Sequence, residues 1–248
     1  MDINQFLTLF FALLGGGIPP LIWLWFWIKE DKNHPEPKPL IIATFVGGMI
    51  AVPIAFVLEK KAASLGLDGF LLGTPGKLFA ALVVLVLIEE IVKYLAAQGI
   101  AFPNKHFDEP VDAIIYMISA ALGFAALENT LFLIDGLSSA GLISQGFFAT
   151  VGLNEVLINN NLRFIGANVL HVVASGLIGV FIGFSFYKHW FAKILYFLVG
   201  LGLATFLHAI FNFSIITYSD KPLVVFSHLW LMAILLIFLF ERVKRVRP

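Results

Sequence analysis

The 248-residue sequence contains no cysteine and few charged residues. Without cysteine the chain cannot form disulfide bonds, bind a metal through thiolates or use a cysteine nucleophile. Charged residues make up only 13% of the chain and the formal net charge is zero, so no basic surface argues for a nucleic-acid partner. The HExxH pattern of zinc peptidases and the GxGD pattern of aspartyl intramembrane proteases are absent as well.

Hydrophobic residues are abundant instead, at 60% of the sequence, against roughly 45–50% in soluble domains. A membrane-spanning helix needs about 20 mainly apolar residues, and seven stretches meet that requirement. The predicted spans are residues 5–28, 39–58, 78–97, 112–134, 164–187, 190–216 and 223–241. The sequence therefore predicts an all-α, polytopic transmembrane helical bundle that forms one integral membrane domain over residues 1–248, within the lipid bilayer of the cell membrane.

The connection at residues 135–163 is longer than the others. It contains "AGLISQGFFATVGL", which is apolar but too short to cross a bilayer. This pattern is typical of an interfacial or re-entrant helix, which we expect between spans four and five.

Lysine and arginine near the span ends predict the orientation, because these residues are retained on the cytoplasmic side. An external N-terminus places ten of them in the cytoplasm and five outside. The cytoplasmic group includes the short basic tail at 242–248. The loop "EKK" at 59–61 opposes this assignment, but the balance predicts an external N-terminus and a cytoplasmic C-terminus.

The third span, within "VVLVLIEEIVKYLAA", carries Glu89, Glu90 and Lys93. A charge at the centre of a membrane helix costs about 2.5–3.5 kcal/mol on insertion scales. Lys93 lies four residues after Glu89 and three after Glu90, so it can neutralise one carboxylate while the other points elsewhere. An ionisable group at this depth indicates a functional site.

Polar residues also occur in the next three spans, namely Glu128, His171, and His208 with Asn212 one helical turn later. Alternate spans run in opposite directions, so the depths of these residues can be compared from one membrane face. Counted from the outer span ends, Glu89, Glu128, His171 and His208 all lie roughly 10–18 Å deep. Four helices can therefore bring these groups into one layer, nearer the outer face, and we expect a polar pocket there.

Two carboxylates and two imidazoles are suited to activating water. One arrangement has Glu128, His171 and His208 as ligands of a catalytic zinc ion, with Glu89 or Glu90 as the general base and Lys93 in support. A metal-free arrangement has a glutamate that deprotonates water while a histidine and Asn212 stabilise the oxyanion. The residues alone leave both open.

Other functions remain open from the residues. "VVASGLIG" resembles the serine region of rhomboid proteases, with Ser175 and His208 as a possible catalytic dyad. A proton- or ion-coupled transporter would also line a midplane cavity with Glu, His and Lys. A non-catalytic scaffold that binds helices would instead pair all its polar groups.

Five short motifs, in order along residues 23–213, together resemble the PrsW family of intramembrane proteases, which are distant relatives of the CAAX prenyl proteases. The motifs are "WIKEDKNHPEPKP", "EEIVK", "FAALEN", "RFIGANVLHVVASGLIG" and "HAIFN". The resemblance implies a multi-spanning peptidase of glutamic or metallo type that acts on membrane proteins, such as membrane-tethered anti-sigma factors. It implies functional roles for Glu89, Glu90, Lys93, Glu128, His171, His208 and Asn212.

Overall fold

A computed structural model of the chain describes residues 3–30, 35–67, 74–139, 150–218 and 221–248, and within these ranges seven long helices form a bundle. The helices are α1 (Ile3–Glu30), α2 (Lys38–Ser64), α3 (Pro75–Ile100), α4 (Asp112–Ser139), α5 (Thr150–Phe184), α6 (Trp190–Thr217) and α7 (Pro222–Val243). Each overlaps one of the seven predicted spans, so the prediction of an all-α bundle is confirmed.

Six of these helices are long and apolar enough to cross a membrane, and α3 is the exception. Its 26 residues would suffice in length, but Glu89, Glu90 and Lys93 lie in its second half. Within the bundle Glu90 and Lys93 are completely buried. The charges that lower the hydropathy of α3 therefore face protein rather than lipid, as is usual for ionisable residues in membrane helices.

The helix ends differ from the predicted spans most at α5, which begins at Thr150 rather than near residue 164. Residues 150–163 are thus the first part of α5 and continue into the fifth span, instead of forming a separate interfacial helix. The rest of the predicted interfacial or re-entrant segment, 140–149, lies outside the described residues.

Helices α4 and α5 form the centre of the bundle. In their spanning segments 72% and 78% of the residues are buried, compared with 22% in α1 and 28% in α7. Helix α4 packs against α1, α2 and α5, whereas α6 packs against α3 and α5 and α7 packs mainly on α5. Residues that α3, α4, α5 and α6 direct inward therefore meet in the protein interior.

Glycines allow α2 and α4 to cross in close contact. A Cβ atom added at Gly48 would overlap the Ala120 carbonyl oxygen, and one at Gly123 would overlap the carbonyl oxygen of Phe45. Small residues at such crossings are the usual means by which membrane helices approach each other. This crossing sets the position of α4, and hence of Glu128, relative to α2.

We predict that Gly48→Ala and Gly123→Ala each destabilise the protein by about 1–3 kcal/mol, because the new methyl group must displace a backbone carbonyl of the neighbouring helix. Thermal unfolding in detergent measures the effect. Gly202→Ala on α6 is the matched control, since no atom lies within 4 Å of its added Cβ. Equal melting temperatures for all three variants would contradict this account of the α2–α4 contact.

A polar contact fixes the segment before α2 to the start of α4. The Tyr116 hydroxyl donates a hydrogen bond to the buried carboxylate of Glu36. The Asp112 carboxylate accepts hydrogen bonds from the backbone N–H groups of Asp108 and Glu109, at 2.9 and 2.7 Å. The Glu-Pro motif at residues 36–37 therefore has a structural partner, away from the polar residues of α3.

Candidate active site

The polar residues of the four inner helices meet in one cluster. Helix α3 contributes Glu89, Glu90 and Lys93, while α4 contributes Glu128, α5 His171 and α6 His208. On α3 the i,i+3 and i,i+4 spacing brings both carboxylates to the same lysine. The predicted convergence at one depth is therefore present in the structure, whereas the chemical role of each residue stays a prediction.

Lys93 is at the centre of the cluster. Its Nζ lies 2.8 Å from Glu90 Oε1, 3.3 Å from Glu89 Oε2 and 2.9 Å from His171 Nδ1. The ammonium also lies 4.5 Å from the centre of the Phe124 ring, at a cation–π distance. Since its side chain is fully buried, these contacts replace the hydration that the ammonium loses.

Glu90 is the most completely bonded carboxylate. One oxygen accepts hydrogen bonds from Lys93 and from His208 Nδ1, at 2.8 and 2.9 Å. The other oxygen accepts a hydrogen bond of 2.6 Å from the Ser175 hydroxyl. Glu90 is inaccessible to solvent, and these contacts connect it to three side chains.

Each histidine has a carboxylate on one ring nitrogen. Glu90 accepts from His208 Nδ1, and Glu128 Oε2 lies 2.9 Å from His171 Nε2. Because the Lys93 ammonium donates to His171 Nδ1, the ring proton of His171 is on Nε2 and is donated to Glu128. The unprotonated nitrogens are then His208 Nε2 and His171 Nδ1, and the second of these accepts the hydrogen bond from Lys93. The two ring centroids are 5.1 Å apart.

Histidines that bind a metal through one ring nitrogen commonly donate the N–H of the other to a carboxylate, which fixes the tautomer and the ring orientation. The sequence placed Glu128 among the metal ligands, together with His171 and His208. The structure instead places Glu128 on Nε2 of His171, the nitrogen that does not contact Lys93. In this geometry Glu128 orients a candidate ligand, and Glu89 takes its place among the candidate donors.

Four residues present possible donor atoms to a single point. Glu89, Glu90, His171 and His208 each offer one ligand atom, and these atoms all lie within 4.8 Å of one another. Carboxylate oxygens and imidazole nitrogens are ligands of catalytic zinc, at about 2.0–2.2 Å from the ion. The donor set thus fits a divalent cation, provided that the Lys93 ammonium moves away from the same atoms.

The carboxylates of the cluster differ in their exposure to solvent. The side chains of Glu89 and Glu128 are 12% and 25% exposed, whereas those of Glu90 and Lys93 are fully buried. In the described part of the chain Glu89 has one hydrogen bond, with Lys93, and its contact with His208 Nε2 is 3.8 Å long. Water or a substrate would therefore reach Glu89 before it reached Glu90.

Two of the residues singled out in the sequence do not join the cluster in the predicted way. Asn212 is half-buried one turn after His208, but no hydrogen bond within the described ranges links it to Glu89, Glu90 or His208. Ser175 bonds to Glu90 rather than to His208, so the serine–histidine pair of a rhomboid-like dyad is not formed. The Ser175–Glu90 contact itself gives no signal in the sequence beyond a small polar residue four positions after His171.

Comparison with known proteins identifies a family for this chain. Residues 36–240 match the family described as PrsW family intramembrane metalloprotease. The chain belongs to the PrsW family. The match covers most of the chain and contains every residue of the cluster, so the resemblance seen in the five sequence motifs is confirmed.

Individual relatives are moderately similar in sequence. The Protease PrsW of Bacillus subtilis (strain 168) is 29% identical over 220 residues, which are 85% of each chain. That of Geobacillus kaustophilus (strain HTA426) is 29% identical over 213 residues, 83% of this chain and 80% of the relative. No solved structure matches. Membership of this family indicates a peptidase embedded in the membrane by several helices.

Proposed function

We propose that this PrsW-family chain is an endopeptidase that hydrolyses peptide bonds of membrane-protein substrates at the buried cluster of α3, α5 and α6. The observation that carries the proposal is the partly exposed carboxylate of Glu89 beside two buried histidines and a buried lysine. Ionisable groups in membrane helices cost free energy of insertion, and those that are present usually form a functional site.

Glu89 is proposed as the general base that takes a proton from the attacking water. It is the carboxylate of α3 that solvent can reach, and the one hydrogen bond that it makes among the described residues, with Lys93, is 3.3 Å long. Glu90, in contrast, has all its contacts inside the protein. A catalytic base must be able to approach the proton that it accepts, and this favours Glu89.

The free Nε2 of His208 faces Glu89 at 3.8 Å, which places it on the same side as the attacking water. Because the ring proton of His208 is on Nδ1, Nε2 first takes up the proton that Glu89 removes from water. As Nε2–H it can then hydrogen-bond to the oxyanion and give that proton to the leaving amine. Glu90 holds the His208 ring through Nδ1, and Lys93 holds Glu89, Glu90 and His171 together. Glu90 and Lys93 are therefore positioning residues in this proposal.

A divalent metal ion, for which zinc is the candidate, would be held by Glu89, His171 and His208, with Glu90 and Glu128 behind the histidines. When bound, such an ion would polarise the substrate carbonyl and lower the pKa of its water. In that case Glu89 acts as a ligand, and Glu128, the more exposed carboxylate, is the group available for proton transfer.

The substrates are proposed to be single-span membrane proteins, with anti-sigma factors or similar regulators as the candidate class. A cluster among membrane helices is accessible to another membrane helix by lateral diffusion. The charge distribution of the loops favours an external N-terminus, a cytoplasmic C-terminus and an active site nearer the outer face.

The experiment that tests the function is cleavage of single-span substrates by purified protein reconstituted in liposomes. We expect cleavage of some members of a substrate panel at defined positions. All substrates should stay intact in liposomes that lack the protein. The metal arm adds 1,10-phenanthroline, followed by excess zinc, with metal analysis of the same sample. Inhibition that zinc reverses supports the metal form, whereas unchanged cleavage by metal-free protein supports the metal-free form. No cleavage of any substrate would count against the proposal.

We predict that Ser175→Ala retains cleavage, with a loss of about tenfold or less, because Lys93 and His208 still hold Glu90 after its 2.6 Å hydrogen bond is removed. A fluorophosphonate probe should not label the wild-type protein. Complete loss of activity, together with labelling at Ser175, would favour a serine–histidine mechanism.

A further inference from the structure

A separate cleft lies between α5, α6 and α7. The faces of α5 and α6 that line it are next to the faces that carry His171 and His208. It has a volume of about 510 Å³, within the range of small-molecule sites. Its inner wall includes Leu170 and Leu207, each of which directly precedes a histidine of the cluster. None of the proposed catalytic residues lines it.

The cleft is apolar along most of its length and polar at one end. The apolar part is lined by residues such as Leu170, Phe211 and Leu229. Tyr218, Lys221 and His228 line the end where α6 passes into α7. Tyrosine and lysine at such a position are typical of the membrane–water interface. The cleft therefore extends from the membrane interior to a headgroup region.

The length of the cleft corresponds to one leaflet. Along α6 its lining runs from Phe206 to Tyr218, which at 1.5 Å per residue is about 18 Å. The hydrocarbon core of a bilayer is about 30 Å thick, so half of it is about 15 Å. A molecule that fills the cleft would have an apolar part as long as one leaflet and a polar group at Lys221.

The packing of α6 on α7 distinguishes between two apolar occupants. A transmembrane helix is at least about 10 Å in diameter, whereas α6 and α7 are in direct contact, with the ring centroids of Phe211 and Phe226 6.0 Å apart. A hydrocarbon chain is far thinner than a helix and fits without separation of α6 from α7.

We propose that this cleft binds a phospholipid with an anionic headgroup, its acyl chain lying between α5, α6 and α7 and its phosphate near Lys221. The exposed Lys221 ammonium supplies the complementary charge, and the Tyr218 hydroxyl and His228 ring supply polar contacts at the same end. A lysine near a membrane surface attracts anionic headgroups by its charge. The lipid site does not depend on the proposed peptidase activity.

Native mass spectrometry of the detergent-solubilised protein, titrated with phosphatidylglycerol or phosphatidylcholine, tests the proposal. Wild-type protein should retain one phosphatidylglycerol more tightly than phosphatidylcholine. Lys221→Gln should weaken phosphatidylglycerol binding about fivefold and bring it close to that of phosphatidylcholine. Lys77→Gln is the control, because Lys77 is an exposed lysine at the start of α3 that does not line the cleft.

A second variant, Ile210→Trp, fills the cleft from its partly exposed rim and should abolish retention of the lipid while the melting temperature stays near that of wild type. Equal lipid retention by wild type and both cleft variants would overturn the proposal. It would also be overturned if a photo-crosslinker at residue 210 captured an added single-span substrate in preference to phosphatidylglycerol. If a cleft variant loses the lipid but still cleaves substrate, lipid binding and the proposed peptidase activity are independent of each other.

Discussion

Replacement of Glu89 by glutamine is expected to reduce cleavage of a membrane-protein substrate by at least about 10²-fold, the lower end of the contribution of a general base. The side chain keeps its size but loses the oxygen that accepts the proton of water. Because Glu89 makes one hydrogen bond within the cluster and is partly exposed, the protein should stay folded and inserted. The measurement is the cleavage rate in liposomes, together with a melting curve.

The matched control is Glu241→Gln, which removes a carboxylate from an exposed surface pair with Lys244 and should leave the rate unchanged. His208→Ala should likewise abolish cleavage, because it removes the group that faces Glu89. If Glu89→Gln protein cleaved at the wild-type rate, Glu89 would be neither the base nor a required metal ligand, and the proposed site would be wrong.

The largest effect on stability is expected for Lys93→Met. This change removes the cation that contacts both Glu89 and Glu90, and it leaves Glu90 as a fully buried carboxylate without its ionic partner. Removal of one partner of a buried ion pair typically costs about 3–5 kcal/mol. We therefore expect a large decrease in melting temperature and in the yield of folded protein.

The double variant Lys93→Met with Glu90→Gln provides the test of cause, because it also removes the unpaired charge. It should recover part of the lost stability, whereas Lys77→Met, at an exposed lysine near the start of the same helix, should melt like wild type. A Lys93→Met protein as stable as wild type would mean that the contacts of Lys93 do not hold the cluster together.

Much of the candidate site was predictable because depth along a membrane helix follows from sequence position. Counting residues from the span ends put Glu89, Glu128, His171 and His208 in one layer, and the structure places these side chains in one connected cluster. The pairing of Lys93 with both glutamates follows from helical spacing alone. Helix position and charge spacing are local properties, and a sequence records them directly.

Other features depend on the rotation of helices about their axes, which residue counting does not give. Glu128 has the right depth for a ligand, yet it contacts His171 from the far side of the ring. Asn212 is one turn from His208, but the structure does not bond it to the glutamates. The bond between Ser175 and Glu90 joins residues 85 positions apart, and only the packing of α3 on α5 brings them together.

The early start of α5 was missed for a different reason. Residues 150–163 include several polar side chains, so a hydropathy criterion excludes them from the span. A helix can nevertheless continue beyond the bilayer when its backbone hydrogen bonds are satisfied within the helix. The sequence thus predicted the membrane-embedded part of α5 but not its full length of 35 residues.

The most direct test of the central claim is mass-spectrometric mapping of the cut position in a single-span substrate cleaved by the reconstituted protein. Glu89 lies well inside α3, away from both of its ends, so the cluster lies within the membrane rather than at its surface. We therefore predict a cut within the transmembrane segment of the substrate that is absent with Glu89→Gln protein. Cuts confined to the soluble flanks, or a cut that persists in this variant, would contradict the account.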